Sequence, residues 1–91
     1  MPNDAYGFKK VYIAIGFTDL CRGMERLAGI IRFKFNLNPY DKNTLFLFCG
    51  WRLNRIKGLL WEGEGFLILY KRLENGNFQW PRKKSGVKPI P

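Results

Sequence analysis

The sequence predicts an α+β domain in which an antiparallel sheet of four or five strands packs one face on a single helix at about residues 18–36. Three observations carry this. Residues 44–81 read as short apolar segments separated by tight, basic or glycine-bearing turns, the layout of a β-meander. Residues 11–17 place Val11, Ile13, Ile15 and Phe17 at alternate positions, the period of a strand with one apolar face. Between them Leu20, Met24, Leu27, Ala28, Ile31 and Phe35 recur at the three- and four-residue spacing of one helical face.

The elements follow in order. In the strand at 11–17 the four alternating residues supply the apolar face. Thr18 then offers a hydroxyl to cap the helix, and Asp19 sets a negative charge beside the free amides of its first turn. Arg22, Glu25, Arg26 and Arg32 gather on the opposite helical face, which therefore meets water. Asn38-Pro39 ends the helix near Asn36, because the residue before proline is held out of the helical region. The continuous apolar run 45–49 fits a central strand covered on both faces. Segments 55–62 and 65–73 flank Gly63-Glu64 and form a hairpin. Asn75-Gly76, the preferred dipeptide of a type I′ turn, should return residues 78–80 onto 66–73 as an edge strand that Pro81 stops. The expected organisation is one α+β domain over residues 1–81 and a basic, disordered tail over 82–91.

At 91 residues the chain is one domain that buries roughly 60–65% of its unfolded surface, a modest core. Its hydrophobic fraction of 46% is too high for a disordered chain. No apolar run approaches the roughly 18–20 residues of a membrane span, and the first ten residues lack the apolar core of a secretory signal. Cys21, on the helix face, and Cys49, in the central strand, read as small buried thiols of a reduced, cytoplasmic protein.

Absences exclude most chemistry. The chain has no histidine, so Ser-His-Asp and Cys-His nucleophilic arrangements and histidine-containing zinc sites are ruled out. Two cysteines cannot supply a four-thiolate site, and the one serine, Ser85, lies in the tail with no base beside it. Glu62 and Glu64 are the nearest approach to a pair of catalytic carboxylates, yet at a hairpin tip they read as solvated turn acids. Gly63-x-Gly65 lacks a third glycine and a following helix, so it is no phosphate loop. No enzyme, no metal and no cofactor is expected.

Charge points to a partner. The formal net charge is +9, and the tail contributes Arg82, Lys83, Lys84 and Lys88 with no acid. Cationic and aromatic residues alternate through Trp51, Arg52, Arg55 and Lys57, then Tyr70, Lys71 and Arg72, then Trp80, Arg82, Lys83 and Lys84. Cations contact phosphates and rings stack on bases. The candidate nucleic-acid contacts are therefore Arg52, Arg55, Lys57, Lys71, Arg72, Arg82, Lys83 and Lys84. The competing reading places the rings in cross-strand pairs and the cations as edge guards. Trp51, Tyr40 and Trp80 are the candidate anchors for a protein partner.

The order GFKKVYIAIGFTDLCRGMERLAGII, then NPYDKNTLFLFCG, then RIKGLLWEGEGFLILYKRLENGNFQWP resembles the TnpB-type accessory protein (second open reading frame product, Orf2-like) of the insertion sequence 66 transposase family. The resemblance spans nearly all of residues 7–81. It implies a non-enzymatic bacterial helper that acts beside a separate transposase, and it is distinct from the RNA-guided nuclease that shares the TnpB name. Family members usually carry more basic residues in the turn held here by residues 51–55. They also continue into an acidic helical segment where this chain has RKKSGVKPIP, which reads as a truncated or diverged copy. The resulting expectation is a transposition accessory factor that holds DNA at element ends through its basic hairpin residues and tail. The alternative is a module that docks on the cognate transposase, or on itself, without touching DNA.

Overall fold

A computed structural model describes residues 8–21, 23–83 and 86–90. Five strands form one sheet: β1 (Lys10–Phe17), β2 (Thr44–Cys49), β3 (Arg55–Trp61), β4 (Phe66–Arg72) and β5 (Gly86–Ile90). Their spatial order is β4-β3-β2-β1-β5. The fold class is the expected α+β, with one departure from a purely antiparallel sheet: β1 and β2 run parallel. Parallel neighbours need a long crossover, and the helix between them supplies it. The β2-β3-β4 meander is antiparallel, as its short turns require.

The helix is shorter than its periodicity suggests. It runs as α1 over Met24–Gly29 and continues as a π turn over Ile30–Lys34. Thr18 does not cap it. The Thr18 amide donates to the Cys49 carbonyl at 2.9 Å, extending the β1–β2 pairing, and the Asp19 carboxylate accepts from the Cys21 amide at 3.0 Å in a local turn. Cys21 is accordingly exposed rather than on a buried helix face, whereas Cys49 is buried as expected. Gly23 takes the N-cap position without a side-chain cap. The end near Asn36 is as predicted: Asn36 sits at φ 56°, and the Leu37 amide donates back to the Ile31 carbonyl at 3.0 Å, a left-handed stop suited to asparagine.

The core lies between this helix and one sheet face. Leu27 and Ile31 pack on Ala14, Phe46, Phe48 and Leu59, and Tyr12 stacks on Phe46 with ring centroids 5.5 Å apart. On β1 the helix therefore covers Tyr12 and Ala14, not the expected Val11, Ile13, Ile15 and Phe17 set. The small Ala14 side chain, 4% exposed, leaves room for a helix to approach. The register puts Val11 and Ile13 on the other face with Leu45, Leu47, Leu60, Leu67 and Leu69. There a Cβ on Gly58 would come within 3.0 Å of Leu45 Cδ1 and 3.2 Å of Leu47 Cδ2, so these leucines fold over the glycine. No helix among the described residues covers this second face.

The fifth strand is not where the turn signal places it. Gly76 takes the positive φ of 79° the turn demands, but residues 78–80 do not pair with β4. The segment crosses the end of the sheet instead. Leu73 N donates to Asn54 O at 2.8 Å, Phe78 N to Leu53 O at 2.7 Å and Gly16 N to Pro81 O at 2.9 Å, while Trp80 Nε1 donates to Ala14 O at 2.9 Å. Residues 86–90, expected within an unfolded tail, then pair antiparallel with β1. Pairing there gives β1 a neighbour on its second side, and Pro89 is tolerated because β5 is an edge strand.

Candidate nucleic-acid interface

The ends of β1, β2 and β4 and the start of β3 meet at one end of the sheet. The turn from β2 to β3 is held tightly there: Gly50 N donates to Arg55 O at 2.9 Å, and Leu53 N to Gly50 O at 3.0 Å. Leu53 sits in the left-handed region at φ 63°, a conformation that costs a bulky side chain roughly 1–3 kcal/mol and persists only where surroundings impose it. The bond from Phe78 N to Leu53 O imposes it. Asn54 Oδ1 and Arg55 Nε are also buried without hydrogen-bond partners, so the turn concentrates unfavourable terms.

That turn presents Trp51, whose side chain is 78% exposed. The indole meets Phe17 edge to face with centroids 4.8 Å apart, and the Arg82 guanidinium lies 5.9 Å from the Phe17 ring centre on β1. A cleft of about 610 Å³ opens beside the indole, walled by Phe17, Thr18, Asp19, Leu20, Gly50, Arg52 and Arg55. Cys21 also lines it.

Most of the expected cations converge on this end. Arg52 is exposed beside Trp51, and Lys83 follows Arg82. Arg55 and Arg72 are directly opposite each other on β3 and β4. Like charges in that register repel, an arrangement that an anion relieves. Arg72 has a loose pair with Glu74 at 3.9 Å, which at that exposure contributes little. Two cations stand apart. Lys57 is half-buried on the helix-covered face, donates from Nζ to the Leu20 carbonyl, and lies 6.0 Å from the Tyr70 ring centre. It holds the Leu20 loop in place. Lys71 pairs with Ile56 on the opposite face. Lys84 lies outside the described residues.

The expected protein anchors separate. Trp51 belongs to the cleft. Tyr40 sits at the other end of the sheet, 5.0 Å from Trp61 and 5.3 Å from Phe66 between ring centres. Trp80 is half-buried, and its indole bond to Ala14 ties the crossing segment down. Sequence reasoning missed Phe17 as the wall behind Trp51 and Asp19 as a cleft carboxylate. The pairing of residue 17 with 49 after a register shift between Ile13 and Phe17, a stretch in which Gly16 takes φ 86°, brings Phe17 beside Trp51, and no local pattern encodes it.

Among the described residues no cluster of three or more Cys, Asp or Glu could hold a metal, and no helix is long and apolar enough to cross a membrane. Burial pushes the Cys49 thiol above its ordinary pKa, which keeps it protonated and poorly nucleophilic.

The family model described as IS66 Orf2 like protein (TnpB_IS66) matches residues 9–90. Among curated proteins, uncharacterized protein y4hO of Sinorhizobium fredii (strain NBRC 101917 / NGR234) is 38% identical over 78 residues, covering 86% of this chain and 67% of that protein. Uncharacterized protein y4jC of the same strain is 30% identical over 78 residues, covering 86% of this chain and 66% of its own length. The chain thus spans about two thirds of these relatives. No solved structure matches it.

Proposed function

Because the chain belongs to the IS66 Orf2-like family, we propose that it is a non-enzymatic accessory factor of transposition that holds DNA through the basic end of its sheet. The observation that carries this reading is the convergence of Arg52, Arg55 and Arg82 around the Phe17–Trp51 pair, with Arg72 across from Arg55. The cleft beside Trp51 is lined by Phe17, Leu20 and Gly50 as well as by Arg52 and Arg55, so apolar surface and cations adjoin the ring together. Arg52, Arg55, Arg72, Arg82 and Lys83 act as phosphate anchors, giving affinity with little sequence choice. Lys57 positions the cleft wall rather than the DNA, and the remaining tail lysines add to the field.

Four to five phosphate contacts predict that log K falls with log salt at a slope of about −3.6 to −4.5. Fluorescence anisotropy with element-end and scrambled duplexes at several salt concentrations measures it. Arg52→Ala with Arg55→Ala weakens both duplexes alike and leaves co-purification with the transposase unchanged. A flat salt response rejects the reading.

One observation favours a second reading, docking on the cognate transposase. Leu67 and Leu69, 37% and 42% exposed, lie on the sheet face that no described helix covers. Under this reading Leu69→Glu abolishes co-purification with the transposase and leaves DNA affinity intact.

A further inference from the structure

We propose that the cleft beside Trp51 receives an unpaired nucleobase, so that the protein prefers single-stranded DNA to duplex. The inference rests on the DNA-holding reading and adds the form of DNA that is held. Its starting point is the cost of Trp51: a large aromatic 78% exposed on a turn pinned by backbone hydrogen bonds and a left-handed leucine. A rigid, solvent-facing ring loses little conformational entropy when a flat ligand stacks on it, and every base has a face to offer. In a duplex those faces are already stacked on neighbours. An unpaired base presents one.

The make-up of the cleft suits a flat heterocycle. Phe17, Leu20 and the indole give it apolar surface, and Asp19, whose Oδ1 accepts from the Cys21 amide, lies in the wall beside Arg52 and Arg55. Arg52 and Arg55 line the cleft, and Arg82 lies 5.9 Å from the Phe17 ring centre. They suit the sugar-phosphate backbone on either side of an inserted base. Phe17 supports the indole edge to face at 4.8 Å and leaves most of the ring open to solvent.

The test titrates the chain against three fluorescein-labelled probes of equal length, each at two salt concentrations: a single-stranded oligothymidylate, a duplex, and a single strand with abasic sites at its centre. The single strand is expected to bind at least tenfold tighter than the duplex, and the abasic strand to lose that advantage. Trp51→Ala should weaken single-strand binding about fivefold to a hundredfold, the range of one base stack removed, with duplex affinity and the salt slope unchanged. Trp51→Phe should restore most of the loss. Because Trp51 is exposed, thermal unfolding of both variants should match the parent. Equal binding of single strand and duplex, or an equal loss on both in Trp51→Ala, overturns the base-binding proposal while leaving DNA holding in place. No binding to any probe overturns both.

Discussion

The two ends of the sheet are built from the same kinds of residue and put them to opposite uses. At one end Tyr40, Trp61 and Phe66 satisfy one another, with all three ring pairs 4.9–5.3 Å apart. Acids Asp41, Glu62 and Glu64 lie there with Lys9, Lys10 and Lys42, and Lys42 reaches over the Gly63 turn. At the other end Phe17 and Trp51 meet edge to face and leave the indole in solvent, with Arg52 and Arg55 lining the same cleft and Arg82 against Phe17. The difference teaches that aromatic content alone does not mark a binding surface. A largely exposed ring beside a cleft lined by arginines is open to a ligand, whereas three rings that pack on each other need none.

Substitutions at the two ends should break this contrast if it is wrong. The largest effect is expected from replacing Arg52, Arg55 and Arg82 together by alanine, which should weaken DNA binding about a hundredfold at low salt and flatten the salt slope by about 0.9 for each phosphate left without its cation. Replacing Lys10 and Lys42 by alanine at the opposite end should change neither. Next comes packing: Trp61→Ala should cost about 2 kcal/mol of stability in urea unfolding, through the apolar surface it returns to water, while Trp51→Ala should stay within about 0.5 kcal/mol, as exposed positions usually do. Equal costs would mean that Trp51 is a core residue. Trp80→Phe removes the bond to the Ala14 carbonyl and should cost about 1 kcal/mol, loosening the segment that carries Arg82. The smallest effect concerns Cys49. Its burial raises the folded-state pKa, so this contribution to stability is full below the unfolded thiol value near 8.5 and declines as pH rises past it. Cys49→Ala should make the stability curve flatter above the unfolded thiol value, and iodoacetamide should label exposed Cys21 well before Cys49 in the native protein.

Local chemistry made much of this legible. The β2-β3-β4 meander followed from apolar runs bounded by Gly63 and its neighbours, and the helix stop followed from Asn38-Pro39. Arg52 and Arg55 could be named because cations and a tryptophan alternate there, just after the central strand. What escaped is whatever depends on partners distant in sequence. Thr18 and Asp19 have the look of a helix start, but Cys49 of β2 claims the Thr18 amide first. Asn75-Gly76 correctly marks a turn, yet a turn says nothing about which strand receives the chain after it. Residues 11–17 carry apolar groups on both faces, since Tyr12 and Ala14 alternate with Val11 and Ile13, so alternation could not identify the face the helix would cover.

Strand β1 lies between β2 and β5 although its two neighbours are separated by much of the polypeptide. Pairing residues near 13 with residues near 88 closes a loop of more than seventy residues, and pairings of such long sequence separation slow the search for the native state. Synthesis adds a further delay, since the meander can assemble on the ribosome while one side of β1 still waits for β5 to emerge. Until it arrives, the unpaired backbone of β1 is a template for strands from other chains. Substitutions that weaken β5 should therefore show first as lower soluble yield, with little change in what the folded molecule holds.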